Sequence, residues 1–446
     1  MGKKIAIIGT GYVGLVAGAC FAKKYSVICA DIDGSKVEAI NDGRAPFFEP
    51  GLDELLDEVH SAGRISATTD IEYAVAESDF IFICVGTPSL PDGAIDLSYV
   101  RQVAEDIGKA LAKVDSFRVI IQRSTVVPTT TKNLVAPLIE KNSGKVRGRD
   151  FGIAFVPEFL REGNAVSDFL NPDRVIIGAD DPETAGMVES LYRDFYSDFP
   201  ADKFLRMSIE SAELVKYASN SFLATKISFA NEIAVLAEKI PGVDVDEVMR
   251  GVGLDHRISP HYFGAGPGFG GSCFPKDLRA LIYFARECGI EPILLESVLE
   301  RNVRQARHIV DVAEQILGGF DGKRITILGL SFKPNTADMR EAPSLRIIEE
   351  FRKRGAKDII AYDPVAIAET KKVIGDLVEY AFSVEQALSG SDLAVIVTEW
   401  DEFVNLPPEI FVENMRTPVV IDTRRIYDPE EFGGKLRYFA VGRGEV

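Results

Sequence analysis

The sequence predicts an α/β protein in which two doubly wound parallel-sheet domains are joined by a central helical domain with one long helix. Three observations support this prediction. Short apolar runs alternate with helical patterns over roughly the first 200 residues, the pattern turns helical near residue 209, and the alternation returns after residue 318. Such alternation is typical of a parallel sheet covered by helices. We therefore expect domains at residues 1–200, 201–317 and 318–446.

Buried strands are predicted near both ends of the chain. In the first domain they have the sequences KIAIIG, SVICAD, DFIFICV, RVIIQRS and FGIAFV, which are rich in β-branched residues and bounded by Gly, Asp or Pro. In the last domain, RITILGL, DIIAYDP, SDLAVIVTEW and PVVIDT repeat the pattern, with a helix at RIIEEFRKRG. The end of the chain resembles its beginning, which predicts two Rossmann-like domains. The second lacks a GxGxxG motif, so we expect it to bind something other than a dinucleotide.

The middle of the chain has a different period. Residues 209–239 contain neither proline nor glycine and predict one long helix, and further helices follow to about residue 317. A mostly helical segment of this length cannot bury all its faces alone. We expect it to bridge the two outer domains and to form a homodimer interface.

Composition disfavours several classes of protein. The chain has 446 residues, of which 46% are hydrophobic and 26% charged, as in a globular protein of two or three domains. Its net charge of −18 disfavours nucleic acid and anionic membranes as partners. No run reaches the roughly eighteen apolar residues of a membrane span, and no secretory leader precedes the first strand. We expect a cytoplasmic location.

Neither a metal site nor a disulfide framework is predicted. The five cysteines are irregularly spaced without a CxxC pair, and the four histidines show no metal-ligand spacing. This cysteine pattern suits a reducing compartment.

The motif GTGYVG at residues 9–14 predicts a dinucleotide site. It follows the strand KIAII and opens a helical stretch, so its glycines let the backbone approach a pyrophosphate at a helix N-terminus. A second strand ends at Asp31, about 20 residues further on, and an acid there binds ribose hydroxyls and repels a 2′-phosphate. NAD is therefore the expected cofactor, and a tight turn without a ligand is the alternative. The candidate contacts are Gly9, Gly11, Tyr12, Val13, Gly14, Asp31, Lys36, Thr87 and Thr125.

One cysteine stands between a glycine-rich loop and a predicted helix. In GPGFGGSCFPKDLRAL, residues 266–281, Cys273 precedes Pro275, which suits the first turn of a helix. Thiolates are stabilised at helix N-termini and near cations, and Lys276 is close in sequence. We expect the glycine-rich run to be flexible enough for its N–H groups to wrap a ligand. Cys273 is thus a candidate nucleophile.

A buried apolar cysteine is the alternative interpretation. We expect it for the four cysteines that lie in or near strand and helix patterns, namely Cys20, Cys29, Cys84 and Cys288. The surroundings of Cys273 are loop-like, which favours the nucleophile. A dinucleotide fold combined with a thiolate suggests aldehyde oxidation: a thiol captures the aldehyde, hydride transfer to NAD gives a thioester, and water releases the acid.

Several motifs together resemble a known family. They are GTGYVGL, FEPGLDELL, VGTPS, RSTVVPT, VPEFLREG, KYASNSFLATKISFANE, GFGGSCFPKD, SFKPNTADMREAPS and IDTRR, and they run from end to end of the chain. On these motifs the sequence resembles the UDP-glucose/GDP-mannose dehydrogenases, and GFGGSCFPKD is highly specific. The resemblance implies an NAD domain, a central dimerisation domain and a UDP-binding domain. It also implies that UDP-glucose, two NAD and water give UDP-glucuronate and two NADH.

The resemblance implies catalytic roles position by position. Cys273 matches the nucleophile, and Lys216 is similar to a lysine that stabilises the developing oxyanion, with Asn220 four residues further along the same helix. Asp277 resembles an aspartate that positions or activates water. From the residues alone, a solvated helix face is the alternative for Lys216 and Asn220, and charge repair or helix capping is the alternative for Asp277.

Two carboxylates in VPEFLREG have further implied roles. Glu158 resembles a residue of general-base type that acts through a water held with Thr125, and Glu162 resembles one near the nicotinamide. A polar helix face is the alternative for carboxylates four residues apart.

The remaining matches concern binding. The resemblance implies substrate contacts at Glu158, Phe159, Leu160, Arg161, Glu162, Lys216, Asn220, Arg257, Tyr262, Phe263, Gly264, Ala265, Gly266, Gly270, Lys333 and Arg424. Arg257 is similar to an arginine that reaches the substrate of a partner subunit, and Lys276 and Arg340 are expected near NAD. The neighbouring Arg425 leaves the choice of Arg424 open.

Three other functions stay open from the sequence. Another member of the same family would oxidise GDP-mannose or an N-acetylated UDP-sugar. A two-electron β-hydroxyacid dehydrogenase would share the first domain and the long helices without needing Cys273. A non-catalytic nucleotide-sugar binder would produce no NADH.

Overall fold

Two sheets of mostly parallel strands organise the protein. The structure, a computed structural model, describes residues 2–444, and its backbone divides into two units between Ser219 and Asn220. Each unit is built on one sheet. The division into three domains at residues 200 and 317 stays a prediction beside this two-unit description.

The first unit contains eight strands and most of the shorter helices. Its strands are β1 (Lys4–Ile8), β2 (Ser26–Ala30), β3 (Ile65–Thr68), β4 (Phe80–Ile83), β5 (Arg118–Gln122), β6 (Phe151–Phe155), β7 (Val175–Ala179) and β8 (Phe204–Met207). Its helices are α1 (Tyr12–Ala22), α2 (Gly34–Asn41), α3 (Leu52–Ser61), α4 (Ile71–Ala76), α5 (Ser98–Leu111), α6 (Ala136–Ser143), α7 (Ala165–Leu170) and α8 (Pro182–Phe195). A π-helical turn (Thr131–Val135) precedes α6, and a 3₁₀ turn (Ala201–Lys203) precedes β8.

The strands of this sheet are ordered β3-β2-β1-β4-β5-β6-β7-β8, and β6 and β7 are the antiparallel neighbours. Along β1, Ile5 and Ile7 pack into one apolar layer while Ala6 and Ile8 pack into the opposite layer. Burial on both faces explains why these strands are continuous apolar runs. The order reverses at β1, so the loops after β1, β2, β4 and β5 meet at the carboxyl edge where ligands bind in this fold class.

The turn between β1 and α1 is shaped by two glycines. Gly9 has a φ of +94°, and a Cβ on it would lie 3.0 Å from the backbone of Cys84 and Val85. A Cβ on Gly14 would lie 1.9 Å from the carbonyl oxygen of Gly9, so α1 packs directly on the turn. The Cβ position of Gly11 has nothing within 4 Å, which leaves this side of the turn open to a ligand.

Helix α9 (Ile209–Ala237) is the long helix predicted over residues 209–239. It carries residues of both units, since the division falls after Ser219. Beyond that point, Phe222, Phe229 and Leu236 recur every seven residues and are 65%, 48% and 57% exposed. None of the helices in residues 2–444 has both the length and the apolar character needed to cross a membrane.

The second unit continues with helices and then a six-stranded sheet. Its helices are α10 (Val245–Gly253), α11 (Phe274–Glu287), α12 (Ile293–Leu317), α13 (Pro343–Lys353), α14 (Ile367–Ile374), α15 (Val384–Leu388), α16 (Asp401–Val404), α17 (Pro408–Asn414) and α18 (Pro429–Gly433). Its strands are β9 (Arg324–Leu328), β10 (Asp358–Tyr362), β11 (Glu379–Tyr380), β12 (Leu393–Ile396), β13 (Val419–Asp422) and β14 (Arg437–Ala440).

The second sheet repeats the first. Its order β11-β10-β9-β12-β13-β14 matches the first six strands of the other sheet, and its neighbours are parallel. The N–H of Gly9 donates to the carbonyl oxygen of Ala30 at 2.8 Å, and the N–H of Gly329 donates to that of Tyr362 at 2.8 Å. Both glycines have a φ of +94°. The predicted fold class, with two Rossmann-like sheets and a helical centre, is confirmed.

Five strands go beyond the predicted set, namely β3, β7, β8, β11 and β14. Four of these are the edge strands of the two sheets. Edge strands are short and partly exposed, such as ISAT in β3 and EY in β11, so they lack the apolar run that marks a buried strand. Strand β7 does carry such a run, VIIGA, and its sequence would have predicted it.

Replacing Gly14 with alanine is expected to destabilise the first unit. The new Cβ would meet the backbone oxygen of Gly9, so Gly14→Ala should lower the free energy of unfolding by about 2 kcal/mol, as measured by denaturant unfolding. Gly11→Ala is the matched control, because open space surrounds its Cβ position. This control should keep the parent's stability and weaken NAD binding. Equal stability of the two variants would contradict the packing argument.

Candidate active site

The first turn of α1 begins directly after the open glycine. Tyr12 and Val13 are half-buried at this helix N-terminus, whose N–H groups and partial positive charge favour phosphate. The ring of Tyr12 packs on Phe47 with centroids 4.2 Å apart, and its hydroxyl donates to the carbonyl oxygen of Phe48 at 3.2 Å. The turn therefore has the shape and the charge that a pyrophosphate needs.

Asp31 follows β2 at the same edge of the sheet. Its Oδ2 accepts hydrogen bonds from the N–H and the hydroxyl of Thr10 at 2.7 and 2.6 Å, and its Oδ1 accepts one from the N–H of Asp33 at 3.0 Å. Burial opposes its ionisation, but these bonds and the ammonium of Lys36 at 3.7 Å hold the pKa of Asp31 below its usual value of 3.8. Ile32, the next residue, is 92% exposed and was not among the predicted contacts.

These residues fit NAD. An ionised carboxylate after β2 can accept hydrogen bonds from ribose hydroxyls and repels a 2′-phosphate, so NAD is favoured over NADP. The exposed Ile32 offers an apolar surface for a planar base beside that ribose. NAD, when bound, supplies a hydride acceptor, and the chain supplies binding and orientation.

Two predicted threonines meet where neighbouring strands end. Thr87 follows β4 and Thr125 follows β5, and the Thr87 hydroxyl donates to the carbonyl oxygen of Thr125 at 3.0 Å. Thr87 is buried and Thr125 is half-buried. This hydrogen bond ties together two loops of the edge that receives ligands in this fold class.

A buried ion pair joins the loop after β6 to helix α9. The Nζ of Lys216 lies 2.9 Å from Oε1 of Glu158 and donates to the carbonyl oxygen of Glu158 at 2.7 Å. Oε2 of Glu158 accepts from the N–H of Leu160 at 2.6 Å. Burial opposes ionisation, but Lys216, this N–H and Arg123 hold the pKa of Glu158 below its usual value of 4.5. The two side chains are 4% and 7% exposed, so the solvated-face alternative for Lys216 is wrong.

Two further predicted residues of this loop have contrasting surroundings. The ring of Phe159 lies under two cations, with the guanidinium carbon of Arg174 at 4.0 Å and Nζ of Lys216 at 5.4 Å from its centroid. Arg161 is exposed and forms an ion pair with Asp168 at 2.6 Å. Phe159 thus packs beside the buried ion pair, while Arg161 lies at the surface.

The loop after β6 is irregular throughout. Residues 156–161 lie in neither helix nor strand and a turn follows, so Glu158 and Glu162 share no helix face and that alternative is wrong. Glu162 is half-buried. The loop is fixed at its far end by Glu49, whose carboxylate accepts from the N–H groups of Gly163 and Ala165, both at 2.7 Å. Glu49 was not among the predicted residues, and its position in the FEPGLDELL motif is the sequence signal that could have identified it.

In the second unit, Cys273 is the N-cap residue of α11 and is exposed. Pro275 lies in the first turn, as predicted. The hydroxyl of Ser272 lies 3.5 Å from the Sγ of Cys273. A helix N-terminus stabilises a thiolate, so this position suits a nucleophile, and the buried-cysteine alternative is wrong for Cys273.

The other cysteines differ from Cys273. Cys20, Cys29 and Cys84 are buried as expected, and burial raises the pKa of each thiol to about 12. Cys288 is exposed, so the expectation of burial is wrong for it. The physical reason is that α11 ends one residue earlier, and Cys288 as its C-cap lies beyond the packed turns.

Asp277 lies one turn into α11 and is 1% exposed. Its Oδ1 accepts from the Nζ of Lys276 at 2.6 Å, and its Oδ2 accepts from the side-chain amide of Asn220 at 2.6 Å. Both oxygens of this carboxylate accept from side chains, whereas a helix cap would accept from backbone N–H groups, so the contacts argue against a helix cap. Asn220 is 6% exposed, so the solvated-face alternative is wrong for it as well. The second unit thus places a thiol, an ammonium, a carboxylate and an amide around the start of α11.

The glycine-rich loop before Cys273 is anchored by the protein. Three of its N–H groups donate to protein oxygens: Gly266 to Asn231 Oδ1 at 2.8 Å, Phe269 to Asn302 Oδ1 at 2.7 Å, and Gly271 to the carbonyl of Arg340 at 2.9 Å. The expectation that the loop is flexible and offers its N–H groups to a ligand is wrong at these positions. Buried backbone donors need acceptors, and side chains distant in sequence provide them.

Glycine serves close packing in this loop. A Cβ on Gly266 would lie 3.1 Å from the carbonyl oxygen of Thr423, and one on Gly270 would lie 2.4 Å from that of Glu341. Gly264 is exposed and has nothing within 4 Å of its Cβ position. Backbone therefore approaches backbone at two of the predicted glycines, and the third stays open.

The aromatic residues at the start of this loop are partly buried. Tyr262 has a φ of +64°, and its ring centroid lies 6.1 Å from that of Phe274. Phe263 and Ala265 are each 8% exposed, and the Nζ of Lys226 lies 4.2 Å from the ring centroid of Phe263. Phe263 and Ala265 therefore belong mainly to the packing of the loop.

Two predicted arginines lie at the surface of the second unit. Arg257 pairs with Asp255 at 2.5 Å and Arg340 pairs with Asp338 at 2.7 Å, and their side chains are 76% and 58% exposed. An exposed ion pair such as Arg257–Asp255 contributes little to stability, so Arg257 can exchange its carboxylate for a phosphate at little cost. The side chain of Asp338 is 8% exposed, so Arg340 has a more buried counter-charge.

Arg424 and Arg425 have different partners. Arg425 is 9% exposed and pairs with Asp244 at 2.5 Å, so it holds the loop after β13 to the start of α10. Arg424 lies near the ends of β12 and β13, where its Nε donates to the carbonyl oxygen of Val397 at 2.6 Å and lies 2.9 Å from Glu399. Arg424 is the arginine at the carboxyl edge of the second sheet.

Comparison with known proteins identifies the family. Sequence profiles match three parts of the chain: the NAD-binding domain of the UDP-glucose/GDP-mannose dehydrogenase family at residues 3–196, its central domain at 210–304 and its UDP-binding domain at 326–429. The chain belongs to the UDP-glucose/GDP-mannose dehydrogenase family. It is an NAD-dependent dehydrogenase, which confirms the predicted family and cofactor.

Individual relatives cover the whole chain. It is 42% identical to a UDP-glucose 6-dehydrogenase of Bacillus subtilis over 447 residues, which cover 100% of this chain and 94% of that protein. A UDP-glucose dehydrogenase structure from Pyrobaculum islandicum has a TM-score of 0.90 at 40% identity and covers 99% of this chain and 98% of its own. A UDP-D-ManNAc dehydrogenase structure from Pyrococcus horikoshii has a TM-score of 0.85 at 31% identity, with coverage of 99% and 100%.

The second sheet of this dehydrogenase has no acid available for a ribose at the position of Asp31. Asp363 occupies that position after β10 and is 1% exposed. Its carboxylate accepts from five surrounding N–H groups, those of Leu330, Ser331, Val365 and Ala366 and the indole of Trp400. Lys333, half-buried in the loop after β9, is the predicted cation of this edge. The second sheet therefore suits a ligand other than a dinucleotide.

Removing the ammonium of the buried pair is expected to be costly at neutral pH. Lys216→Met leaves the buried carboxylate of Glu158 without its main counter-charge, so the free energy of unfolding at pH 7 should fall by about 3 kcal/mol. The folded pKa of Glu158 is held below 4.5, so its pairing stabilises the fold above that pH and is lost as the pH falls further.

Denaturant unfolding at pH 7 and at pH 4 measures this difference. The loss should shrink at pH 4, because Glu158 takes up a proton in the variant. Lys113→Met is the control, since it breaks an exposed pair with Glu72 and should leave stability nearly unchanged. An equal loss for Lys216→Met at both pH values would contradict the electrostatic account.

Proposed function

We propose that this dehydrogenase oxidises UDP-glucose to UDP-glucuronate in a four-electron reaction with Cys273 as the nucleophile. The observation that carries the proposal is the exposed thiol of Cys273 at the N-cap of α11. A thiolate there can capture an aldehyde, a step that a two-electron dehydrogenase does not need. Full-length similarity to a UDP-glucose 6-dehydrogenase and a UDP-glucose dehydrogenase supports UDP-glucose as the substrate.

The proposed reaction balances as follows: UDP-glucose, two NAD⁺ and one water give UDP-glucuronate, two NADH and three protons. The C6 alcohol loses a hydride and a proton to become an aldehyde. The thiolate of Cys273 bonds to the aldehyde carbon, and the aldehyde oxygen takes a proton to give a thiohemiacetal. Loss of a second hydride and a proton leaves a thioester, and water then breaks the C–S bond to release the carboxylate and the thiol.

Residues around Cys273 are proposed to assist these steps. The N-terminus of α11 stabilises the thiolate by its partial positive charge. The carboxylate of Asp277 is held by Lys276 and Asn220, and an acceptor fixed in this way can orient the attacking water. Lys276 is also proposed to contact NAD.

The ion pair of the first unit has two proposed roles. Lys216 stabilises negative charge on the substrate oxygen, and Glu158 activates water. The buried ammonium of Lys216 supplies positive charge for the oxyanion that develops at C6. Glu158 is ionised, since its pKa lies below its usual value, and it is proposed to accept a proton from a water held with Thr125. Glu162 is proposed to lie near the nicotinamide.

The nucleotide-sugar contacts are also proposals. Cationic side chains for the diphosphate and sugar are offered by Lys333 and Arg424, and Arg257 is proposed to reach the substrate of a partner subunit. The remaining proposed contacts are Phe159, Leu160, Arg161, Tyr262, Phe263, Gly264, Ala265, Gly266 and Gly270, and Arg340 is proposed to contact NAD. Local cations of this kind hold an anion against the net charge of −18.

We further propose a homodimer formed through α9. The exposed side chains of Phe222, Phe229 and Leu236 lie along one face, because seven residues make almost two full turns of a helix. A line of large apolar side chains is stabilised by being covered, and a second copy of the same face covers it symmetrically.

A cytoplasmic location is part of the proposal. Cys273 is exposed, and it acts as a nucleophile only while it stays reduced. A reducing compartment provides that condition.

The first test of the function is the stoichiometry of NADH. With excess NAD and limiting UDP-glucose, we expect two NADH per sugar, measured by absorbance. Cys273→Ser should lower turnover by about a thousandfold or more, because a serine hydroxyl is rarely ionised and its ester does not match thioester chemistry. Cys288→Ser is the matched control, since this cysteine is exposed at the other end of α11, and it should behave as the parent.

One NADH per sugar, or full activity of Cys273→Ser, would rule out the thioester route. Activity with GDP-mannose or an N-acetylated UDP-sugar above that with UDP-glucose would move the proposal to another branch of the family. Binding of UDP-glucose without NADH would indicate a non-catalytic nucleotide-sugar binder.

The dimer is tested by placing a charge in the apolar line. Phe229→Asp should shift the mass measured by light scattering from that of a dimer to that of a monomer, because a carboxylate would be buried between two copies. Phe382→Asp is the control, since Phe382 is 75% exposed outside the line. A monomeric parent, or a dimeric Phe229→Asp, would contradict this interface.

A further inference from the structure

A buried carboxylate outside the proposed catalytic set lies in the first unit. Glu213 is on α9 and is 0% exposed. Its Oε2 accepts a hydrogen bond from the N–H of Thr129 at 2.6 Å, and its Oε1 accepts one from the N–H of Thr131 at 2.8 Å. Both donors belong to the segment that leads from β5 into the π-helical turn before α6.

That segment adopts a conformation that needs external support. Thr129 has a φ of +77°, a left-handed conformation that is costly for a β-branched residue. Pro128 before it has no N–H to contribute. The N–H groups at the start of a helical turn have no partner within the turn, and Glu213 supplies an acceptor for two of them. The shape of residues 128–131 therefore depends on this carboxylate.

The segment and the helix both carry residues of the proposed reaction. Thr125 begins the segment and is tied to Thr87. Lys216 is three residues beyond Glu213, on the same side of α9, and it holds Glu158 in the loop after β6. Glu213 thus links the loop after β5 to the helix whose lysine holds the loop after β6.

We infer that Glu213 is a positioning residue that fixes the loop of Thr125 relative to Lys216. It acts through the backbone N–H groups of Thr129 and Thr131. The inference rests on the proposed function, since Thr125 and Lys216 have their roles only there.

Glu210 is the charged side chain that acts on Glu213. Glu210 lies one turn earlier on α9 and pairs with Lys132 at 3.0 Å, and Lys132 also pairs with Asp180 at 3.1 Å. Arg147 acts on Glu210 from further away. Burial, and to a lesser extent Glu210, raise the pKa of Glu213 to about 7 against its hydrogen bonds. A proton on one oxygen weakens it as an acceptor, so one N–H hydrogen bond should weaken as the pH falls through 7.

Hydrogen exchange of the parent and of Glu213→Gln tests the link without substrate. The glutamine side chain keeps one acceptor oxygen and turns a donor toward the other N–H. Peptides covering residues 126–135 should therefore exchange about tenfold faster in the variant at pH 8. In the parent, their protection should fall as the pH drops through 7, after correction for the intrinsic rate, and in the variant it should not change.

The matched control is Glu189→Gln. Glu189 is also a mostly buried carboxylate of the first unit, and it pairs with Arg193 on the same helix α8 at 2.5 Å and with Arg206 on β8. This variant should exchange as the parent does in residues 126–135.

Steady-state kinetics give the functional result. Glu213→Gln should lower kcat by about tenfold or more while KM for UDP-glucose changes less than about threefold, because a displaced Thr125 loop disturbs the reacting geometry. The pH profile of kcat in the parent should show a group that titrates near pH 7, and this group should be absent from the profile of Glu213→Gln. Glu189→Gln should keep the parent's kcat.

Unchanged exchange in residues 126–135 would overturn the inference, and so would faster exchange with a parent-like kcat. Equal losses of kcat and melting temperature in Glu213→Gln and Glu189→Gln would show a general structural effect and also overturn it. A parent that oxidises no nucleotide sugar would count against the proposed function, and the exchange result would still decide whether Glu213 holds the segment.

Discussion

Buried carboxylates that accept backbone N–H hydrogen bonds hold the loops at the carboxyl edges of both sheets. These loops leave the regular ladder, so their N–H groups need acceptors other than neighbouring strands. The acceptors are acidic side chains. Glu49, Glu213 and Asp363 bind N–H groups distant in sequence, whereas Glu158 and Asp422 bind N–H groups of their own loops. Part of the net charge of −18 is therefore interior, where it orders the loops that carry the proposed site residues.

The same constraint explains how one topology serves two different ligands. Both sheets place a glycine with a φ of +94° after the first strand and an aspartate after the second. Asp31 keeps part of its surface and stays available to a ribose, whereas Asp363 is saturated by N–H groups and is 1% exposed. A saturated carboxylate organises its own loops, and recognition by the cations Lys333 and Arg424 is proposed instead. The difference between the sheets lies in hydrogen-bond saturation and not in strand order.

Charge is balanced by different means around the proposed catalytic groups. The ammonium of Lys216 is buried against a carboxylate, and the thiol of Cys273 is exposed at the positive end of a helix. Asp277 has both oxygens engaged by an ammonium and an amide. Lys216 and Asp277 are thereby held in one orientation, and fixed orientation is what electrostatic stabilisation of a transition state requires.

The sequence by itself determined the fold class, the glycine turn at residues 9–14 and the place of Cys273 at a helix start, because these depend on local patterns. Apolar runs mark buried strands, and Cys273 before Pro275 marks a helix start. Tertiary structure alone decided which acceptor satisfies each buried donor. It showed the loop before Cys273 to be anchored by Asn231, Asn302 and Arg340, and it gave Arg424 and Arg425 different partners. It also revealed the edge strands and Glu213, since a partner more than eighty residues away leaves no local pattern in the sequence.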